Sequence, residues 1–313
     1  MEQLYTPQEV ADQLRIKKTT VYELIKRGEL KSSKIGKQIR ISRRHVEEYL
    51  HGQLPSPIQG DLAGGNLQRE YLAAGNGLVL SGQDQILDHL ALQLNFLEHS
   101  APLLRSYMND YNSLNALYFG KIHIACVTLP LGASDADSQE PGFDLLKAML
   151  PGMSVGILHL ACCQEGLYLS ARASAQIRSL EDLCDSGLTF LNREKGSAQR
   201  MLLDRELQKR SLDPSRISGY SREVLSHLAA ASSVIAGEAQ AALGCQTLMA
   251  RFPGLRFLPL WKTRLSLVFD RSLLNSPLLE NLRQIIDSED FRRTLSGIPG
   301  YDLSGLGCLD IIR

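Results

Sequence analysis

No stretch of this sequence approaches 18 uninterrupted apolar residues, and residues 1–10 lack a basic segment followed by an apolar one. Neither membrane insertion nor export is therefore expected, and the chain is placed in the cytoplasm. None of its six cysteines (Cys126, Cys162, Cys163, Cys184, Cys245, Cys308) forms a C-x-x-C pair, and four lie in or beside apolar segments, which points to buried free thiols and to no metal site. Phosphate-loop, dinucleotide and zinc spacings are all missing, so no cofactor is expected. A single tryptophan, Trp261, cannot make a stacking platform for single strands. His159 precedes Cys162 and Cys163 on a strand-like run, with no orienting acid at a recognisable spacing. No catalytic residue is assigned, and the chain is read as a non-enzyme.

What is present begins with an uneven distribution of charge. The formal net charge is +0, yet between residues 15 and 44 eleven Lys and Arg face only Glu23 and Glu29. A basic head on a mildly acidic body predicts double-stranded DNA as partner of the head. Within it, Thr6-Pro7-Gln8-Glu9 is a capping box with proline at the first helical position, followed by an apolar face of Val10, Ala11 and Leu14. A turn at 15–17 leads to a second helix over 18–27 that buries Val21, Leu24 and Ile25, with Gly28 at its C-terminal cap. Residues 34–41 read as a two-stranded wing around Gly36-Lys37, and Ser42 opens a last helix over 43–50. Lys17, Lys18, Thr19, Thr20 and Tyr22 stand where helix-turn-helix proteins present residues to the major groove; Lys26 and Arg27, with Lys37 and Arg40 on the wing, are placed for phosphates.

On Tyr5-Thr6-Pro7-Gln8-Glu9-Val10-Ala11, Thr20-Val21-Tyr22, Arg27-Gly28-Glu29-Leu30, Ile35-Gly36-Lys37, Arg40-Ile41 and the closing Val46-Glu47-Glu48-Tyr49-Leu50, the head resembles the excisionase-type winged helix-turn-helix family, a branch of the mercury-resistance-regulator superfamily. Lys17 stands where that family usually has a serine or threonine cap. Residues 1–50 are thus read as a DNA-binding domain and 51–77, with six glycines and two prolines around one short helix at 67–74, as a linker. A head this small usually works in pairs, so a homodimer is expected.

From residue 78 strands and helices alternate, which predicts an α/β domain with mainly parallel sheet over 78–313. Its centre is 188–207, where an apolar strand, a turn over 192–196 and a helix opened by Ser197 make a small anion receptor. The free N–H groups of Ala198, Gln199 and Arg200 carry the positive end of the helix dipole, although Ser197 could equally just cap its own helix. Ser81 and Ser113 are two further serines read at helix starts, and His227 opens a small-residue helix over 226–236. Strands are predicted at 78–80, 122–129, 155–162, 167–170, 217–220, 256–260 and 264–269, and one closing helix at 277–295.

Residues 78–307 are similar to the periplasmic-binding-protein-like domain of molybdate- and tungstate-binding proteins, which occurs behind DNA-binding heads in bacterial and archaeal regulators. The likeness rests on Ser81-Gly82-Gln83-Asp84, Ser113-Leu114-Asn115-Ala116-Leu117, Gly120-Lys121-Ile122, Asn192-Arg193, Gly196-Ser197, Arg200-Met201-Leu202-Leu203-Asp204, Gly219-Tyr220, His227, Leu243-Gly244 and Leu255-Arg256-Phe257. It implies a bilobed type II fold, with a second lobe over about 163–262, closing on an oxyanion held by Ser81, Ser113, Ser197, Ala198, Gln199, Arg200 and His227. The family's Gly-Thr is here Ala198-Gln199, and its Ala-Asp is Ala239-Gln240, so a diverged ligand is also compatible. The expected function is a ligand-responsive transcriptional regulator. Two other readings are a cytosolic small-molecule-binding protein whose head contacts another protein, and an enzyme on a binding-protein fold.

Overall fold

The computed structural model describes residues 4–14, 18–27, 30, 32–35, 38–42, 45, 78–97, 102–132 and 141–312. The chain divides into two compact units, Met1–Ala63 and Gly64–Arg313. The expected linker over 51–77, the helix read at 67–74 and most of the helix read at 43–50 lie outside the described residues.

In the first unit β1 (Leu4–Tyr5) leads into α1 (Pro7–Leu14) and α2 (Lys18–Arg27), and β2 (Ser33–Ile35) pairs with β3 (Gln38–Ser42). The capping box forms as its residue types demand: Glu9 N–H donates to Thr6 Oγ1 at 3.2 Å and Thr6 N–H returns to Glu9 Oε2 at 2.7 Å. Val10, Ala11, Val21, Leu24, Leu30 and Ile41 bury together. This small core holds both helices against the sheet of order β1-β3-β2.

The second unit is a nine-stranded sheet with helices around it. Its elements run β4 (Leu78–Ser81), α3 (Ile86–Phe96), β5 (Leu103–Ser106), α4 (Asp110–Tyr118), β6 (Ile124–Pro130), α5 (Pro141–Met149), β7 (Val155–Leu169), α6 (Ala171–Ser174), α7 (Leu180–Asp185), β8 (Phe190–Arg193) and α8 (Ala198–Lys209). There follow β9 (Glu223–Val224), α9 (His227–Ile235), β10 (Ala241–Cys245), β11 (Arg256–Asp270), α10 (Pro277–Asp287), α11 (Glu289–Ser296) and β12 (Leu309–Ile312). The strand order is β5-β4-β6-β11-β7-β10-β8-β9, with β12 added on β7.

Two 15-residue strands, β7 and β11, pair antiparallel and run through both lobes. Ile157, Leu158, Leu160, Leu265, Leu267 and Phe269 are buried in the first lobe, whereas Leu167, Tyr168 and Leu169 are buried in the second with Phe257 and Leu258 packed against its clusters. The sequence reading split each of these strands in two, because the polar stretches Cys162-Cys163-Gln164-Glu165 and Trp261-Lys262-Thr263 interrupt the apolar pattern. They are the places where the chain passes from one core to the other. The expected parallel sheet is likewise corrected to a mixed one, since β7 pairs antiparallel with β10, β11 and β12.

Three local readings also change. Residues 217–220 are not a strand; Tyr220 N–H and Arg222 N–H close turns on Ile217 and Gly219, and the strand beside β8 is β9. The closing helix breaks at Ser288, whose hydroxyl donates to the Ile285 carbonyl and accepts from Phe291 N–H, capping α11 afresh. His159 does meet an acid, Asp310, with Nε2 2.8 Å from Oδ2, while its Nδ1 lies 2.9 Å from Ser266 Oγ. Ser266 is fully buried and His159 nearly so, and this trio ties β12 to the crossing strands.

Candidate functional site

On α2, Lys18, Tyr22 and Lys26 recur every fourth residue, opposite the buried Val21 and Leu24, and all three are exposed. Thr19 is exposed at the edge of that face, and Thr20 is half-buried beside Leu24 on the helix surface. On the wing Arg40 is half-buried, its Nη1 donating to the Ile39 carbonyl at 3.4 Å. Lys17 and Lys37 lie outside the described residues, and Arg27 is placed by its backbone alone.

In the body the three serines differ in kind. Ser197 is the N-cap of α8: its hydroxyl accepts from Arg200 N–H at 3.4 Å and donates to the Glu194 carbonyl at 2.9 Å. Ser81 is not at a helix start; it ends β4, and α3 opens only at Ile86, where Asp84 Oδ1 accepts the Ile86 N–H. Ser113 is not a cap either, because Asn109 caps α4 and Ser113 lies within its first turns. The hydroxyls of Ser81 and Ser113 nevertheless come together, 2.8 Å apart and fully buried. Ser81 closes a strand and Ser113 lines the inner face of the neighbouring helix, a meeting that no spacing in the sequence announces.

The positive end of α8 already has an anion. Asp110, the first residue of α4, accepts Ala198 N–H on Oδ2 at 2.9 Å and Thr128 N–H on Oδ1 at 2.7 Å. Burial pushes this carboxyl above its ordinary range against the pull of both N–H donors. Around it the first lobe is laced to the second. Tyr111 N–H donates to the Gly196 carbonyl at 2.9 Å and Asn109 Nδ2 to the Lys195 carbonyl at 3.2 Å. Gly196 permits the approach: with φ at +94°, a side chain there would bring its Cβ to 3.0 Å from both Asn109 Oδ1 and Tyr111 Cβ.

Arg193, which the sequence places in a turn and among the residues of the family likeness but not among the ligand-binding ones, ends β8 and is the cation of this interface. Only 1% exposed, it bridges Glu194 with Nε and Nη2 at 3.0 and 3.2 Å, and its Nη2 donates to Gln83 Oε1 at 2.9 Å. Gln83 Nε2 closes the ring on Glu194 Oε1 at 3.1 Å. Arg200, by contrast, turns to Asp204 at 2.8 Å and Glu223 at 3.1 Å and stacks on Tyr220, so its guanidinium is already paired with two carboxylates. Gln199 is buried beside Glu165, whose carboxyl is held well above the usual range by burial and then by neighbouring Cys245. A charged residue at the end of an apolar strand, as Arg193 is, or inside one, as Glu165 is, is the signal in the sequence.

His227 takes Arg193 Nη1 on its Nδ1 at 3.1 Å, which fixes the neutral ring with its proton on Nε2. Burial, and then the Arg193 charge, hold its pKa well below the ordinary histidine value. The unfolded chain therefore takes up a proton as pH falls through that ordinary value, while the folded chain refuses it. Stability is intact above it and lost below, by up to about 1.4 kcal/mol per pH unit. We expect His227→Asn, which keeps an acceptor for Arg193 but cannot titrate, to flatten the melting-temperature profile between pH 7 and pH 5. Equal acid sensitivity in the two proteins would show that His227 is not the titrating group.

A PBP superfamily domain model matches residues 93–287 and a helix-turn-helix domain model matches residues 4–54. An uncharacterized Bacillus subtilis (strain 168) protein, YvgK, is 32% identical over 299 residues, spanning 95% of this chain and 94% of its own length. A shorter Clostridium pasteurianum protein, known from the 5' region of a ferredoxin 2Fe-2S gene, is 41% identical over 107 residues, or 34% of this chain and 95% of that one. Among solved structures, the regulatory domain of MetR, a LysR family regulator from N. meningitidis, superposes with a TM-score of 0.50 at 15% identity, covering 72% of this chain and 98% of that domain. The Synechocystis CcmR regulatory domain in complex with 2-PG gives the same TM-score and identity over 68% of this chain and 98% of its own. At these identities the likeness is one of fold, a two-lobed α/β body.

Proposed function

We propose, since this chain belongs to the PBP superfamily and carries a helix-turn-helix domain at its head, that it is a ligand-responsive DNA-binding regulator. The observation that carries this reading is the pairing of a helix face bearing Lys18, Thr19, Tyr22 and Lys26 with a body whose lobes are joined by hydrogen bonds at 83, 109–111 and 193–198. An interface of that kind exchanges its partners for a ligand at little apolar cost. In this reading residues 1–50 read DNA as a homodimer, 51–77 link, and the body from 78, with its second lobe over about 163–262, is the sensor. The relevant fact about membranes is narrower: among the described residues no helix is long and apolar enough to cross one.

The effector we favour is a small oxyanion of the molybdate, tungstate or sulfate class, in the family of molybdate- and tungstate-binding proteins. It would take the Ala198 N–H from the Asp110 carboxylate, so that the anion replaces an internal mimic of itself. Gln199, Ser81, Ser113, Ser197 and His227 remain its proposed surroundings, whereas Arg200 would have to leave Asp204 and Glu223 to reach it.

A thermal-shift titration of the full chain with the three oxyanions tests the effector. At a hundredfold excess over Kd, binding stabilises by about 2.7 kcal/mol, which for a domain of this size raises Tm by roughly 5–10 °C. Asp110→Asn, lacking the competing charge, is expected to shift further at the same concentration. No shift in either protein at millimolar oxyanion would mean that the ligand is of another class.

A further inference from the structure

We infer that Cys163, Glu165 and Cys245 form a binding site for one thiophilic divalent cation of the zinc class, at the crossing between the two lobes. This goes beyond the regulator reading and does not rest on it.

The site follows from strand register. Cys163 and Glu165 are two residues apart on β7 and so share one face of the sheet, and Cys245, the last residue of β10, stands directly opposite Glu165. The two sulfurs and a carboxylate oxygen all lie within 4.8 Å of one another and all three residues are buried. Cys163 Sγ is 3.7 Å from Glu165 Oε1. A tetrahedral zinc ion with bonds of about 2.3 Å to sulfur and about 2.1 Å to oxygen sets its ligands about 3.6–3.8 Å apart, so little movement is required.

Three features mark the cluster as built for a ligand. Glu165 is only 2% exposed, yet its Oε2 has no hydrogen-bond partner, an arrangement that leaves a carboxylate oxygen buried at a cost. A hydroxyl stands beside each sulfur: Thr247 Oγ1 donates to Cys245 Sγ at 3.2 Å as outer partners do in metal sites, and Thr263 Oγ1 lies 3.3 Å from both Cys163 Sγ and the Cys163 carbonyl. Finally, the backbone of Cys245 is fixed at both polar atoms by one side chain: Tyr168 Oη donates to its carbonyl at 2.6 Å and accepts its N–H at 2.9 Å. Gly244 leaves room for that ring, since a Cβ there would fall 1.9 Å from it.

Binding moves no electrons. Whatever protons the two thiols and the carboxyl carry are released to solvent as two metal–sulfur bonds and one metal–oxygen bond form, and three anionic ligands on a divalent ion leave one net negative charge. Three protein ligands leave the fourth tetrahedral position to water.

Cobalt(II) is the probe. Full-length protein, reduced and stripped with a chelator, is titrated with Co²⁺ and then with Zn²⁺ while absorbance is followed. The expected result is one Co²⁺ per chain, with a sulfur-to-cobalt charge-transfer band in the near ultraviolet and intense tetrahedral d–d bands, all abolished by one equivalent of Zn²⁺. Cys163→Ser and Cys245→Ser should each weaken binding by more than the roughly 100-fold that loss of an outer partner costs, Glu165→Gln should weaken it by at least about 10-fold, and Cys308→Ser, at an exposed cysteine, should leave it unchanged. Circular dichroism identifies any variant that fails to fold, and the remaining two then decide. No charge-transfer band in fully reduced protein overturns the site, as does an undiminished band in the folded cysteine variants. A Cys163–Cys245 disulfide in protein purified without reductant would overturn it equally, by showing a redox pair instead.

Discussion

Arg193→Met is expected to destabilise the body by about 3–5 kcal/mol, because it removes one partner of a buried ion pair and strands the other. For a domain of this size that is a fall in melting temperature of roughly 6–20 °C, measured by calorimetry or circular dichroism at neutral pH. The guanidinium is 1% exposed and serves Glu194, Gln83 and His227 at once, so its loss takes the countercharge from a buried carboxylate and a donor from an amide oxygen and a ring nitrogen in the same small volume. Replacing Glu194 by methionine in the same protein should restore part of the loss, since no unpaired buried charge then remains. An exposed pair provides the scale. Arg216 reaches Asp185 with both side chains more than half exposed, and Arg216→Ala should cost less than about 1 kcal/mol. If Arg193→Met costs no more than that, Arg193 is not what fastens the lobes.

DNA affinity is expected to collapse with salt. If roughly four to six phosphates are neutralised by the head, log affinity falls with log salt at a slope near −4 to −5, so raising salt from 50 to 200 mM weakens binding by roughly 300- to 1,000-fold. Fluorescence anisotropy of the full chain on a duplex reads this directly. The individual residues separate by role: Thr20→Ala should relax sequence preference, whereas Lys37→Ala should weaken every sequence alike and make the slope shallower by about one. Protection of two half-sites about one helical turn apart would accompany a homodimer. A slope indistinguishable from zero would move the head from DNA to a protein partner, and the second of the sequence readings would stand in place of the first.

Several features were decided by the sequence alone. A capping box, a glycine after ten helical residues and eleven basic side chains between residues 15 and 44 are local statements, and local chemistry is enough to form α1, α2 and the wing. Ser197, Ser179 and Ser226 likewise cap their helices because an N-cap needs only the N–H groups that follow it in sequence. The alternation of apolar runs was sufficient for an α/β body, and its two lobes were implied by the family resemblance. Tertiary structure alone decided what meets what. Ser81 and Ser113 are 32 residues apart in the chain and touch because β4 and α4 are neighbours; Asp110 fills the end of α8 from 88 residues away. Cys163, Glu165 and Cys245 carry no metal-site spacing, since two belong to one strand and the third to a strand that pairs with it some 80 residues later. The physical reason is common to all three cases. A helix cap satisfies its bonds within one turn of chain, whereas a buried polar group finds its partners across the sheet, at distances along the sequence that only the strand order sets.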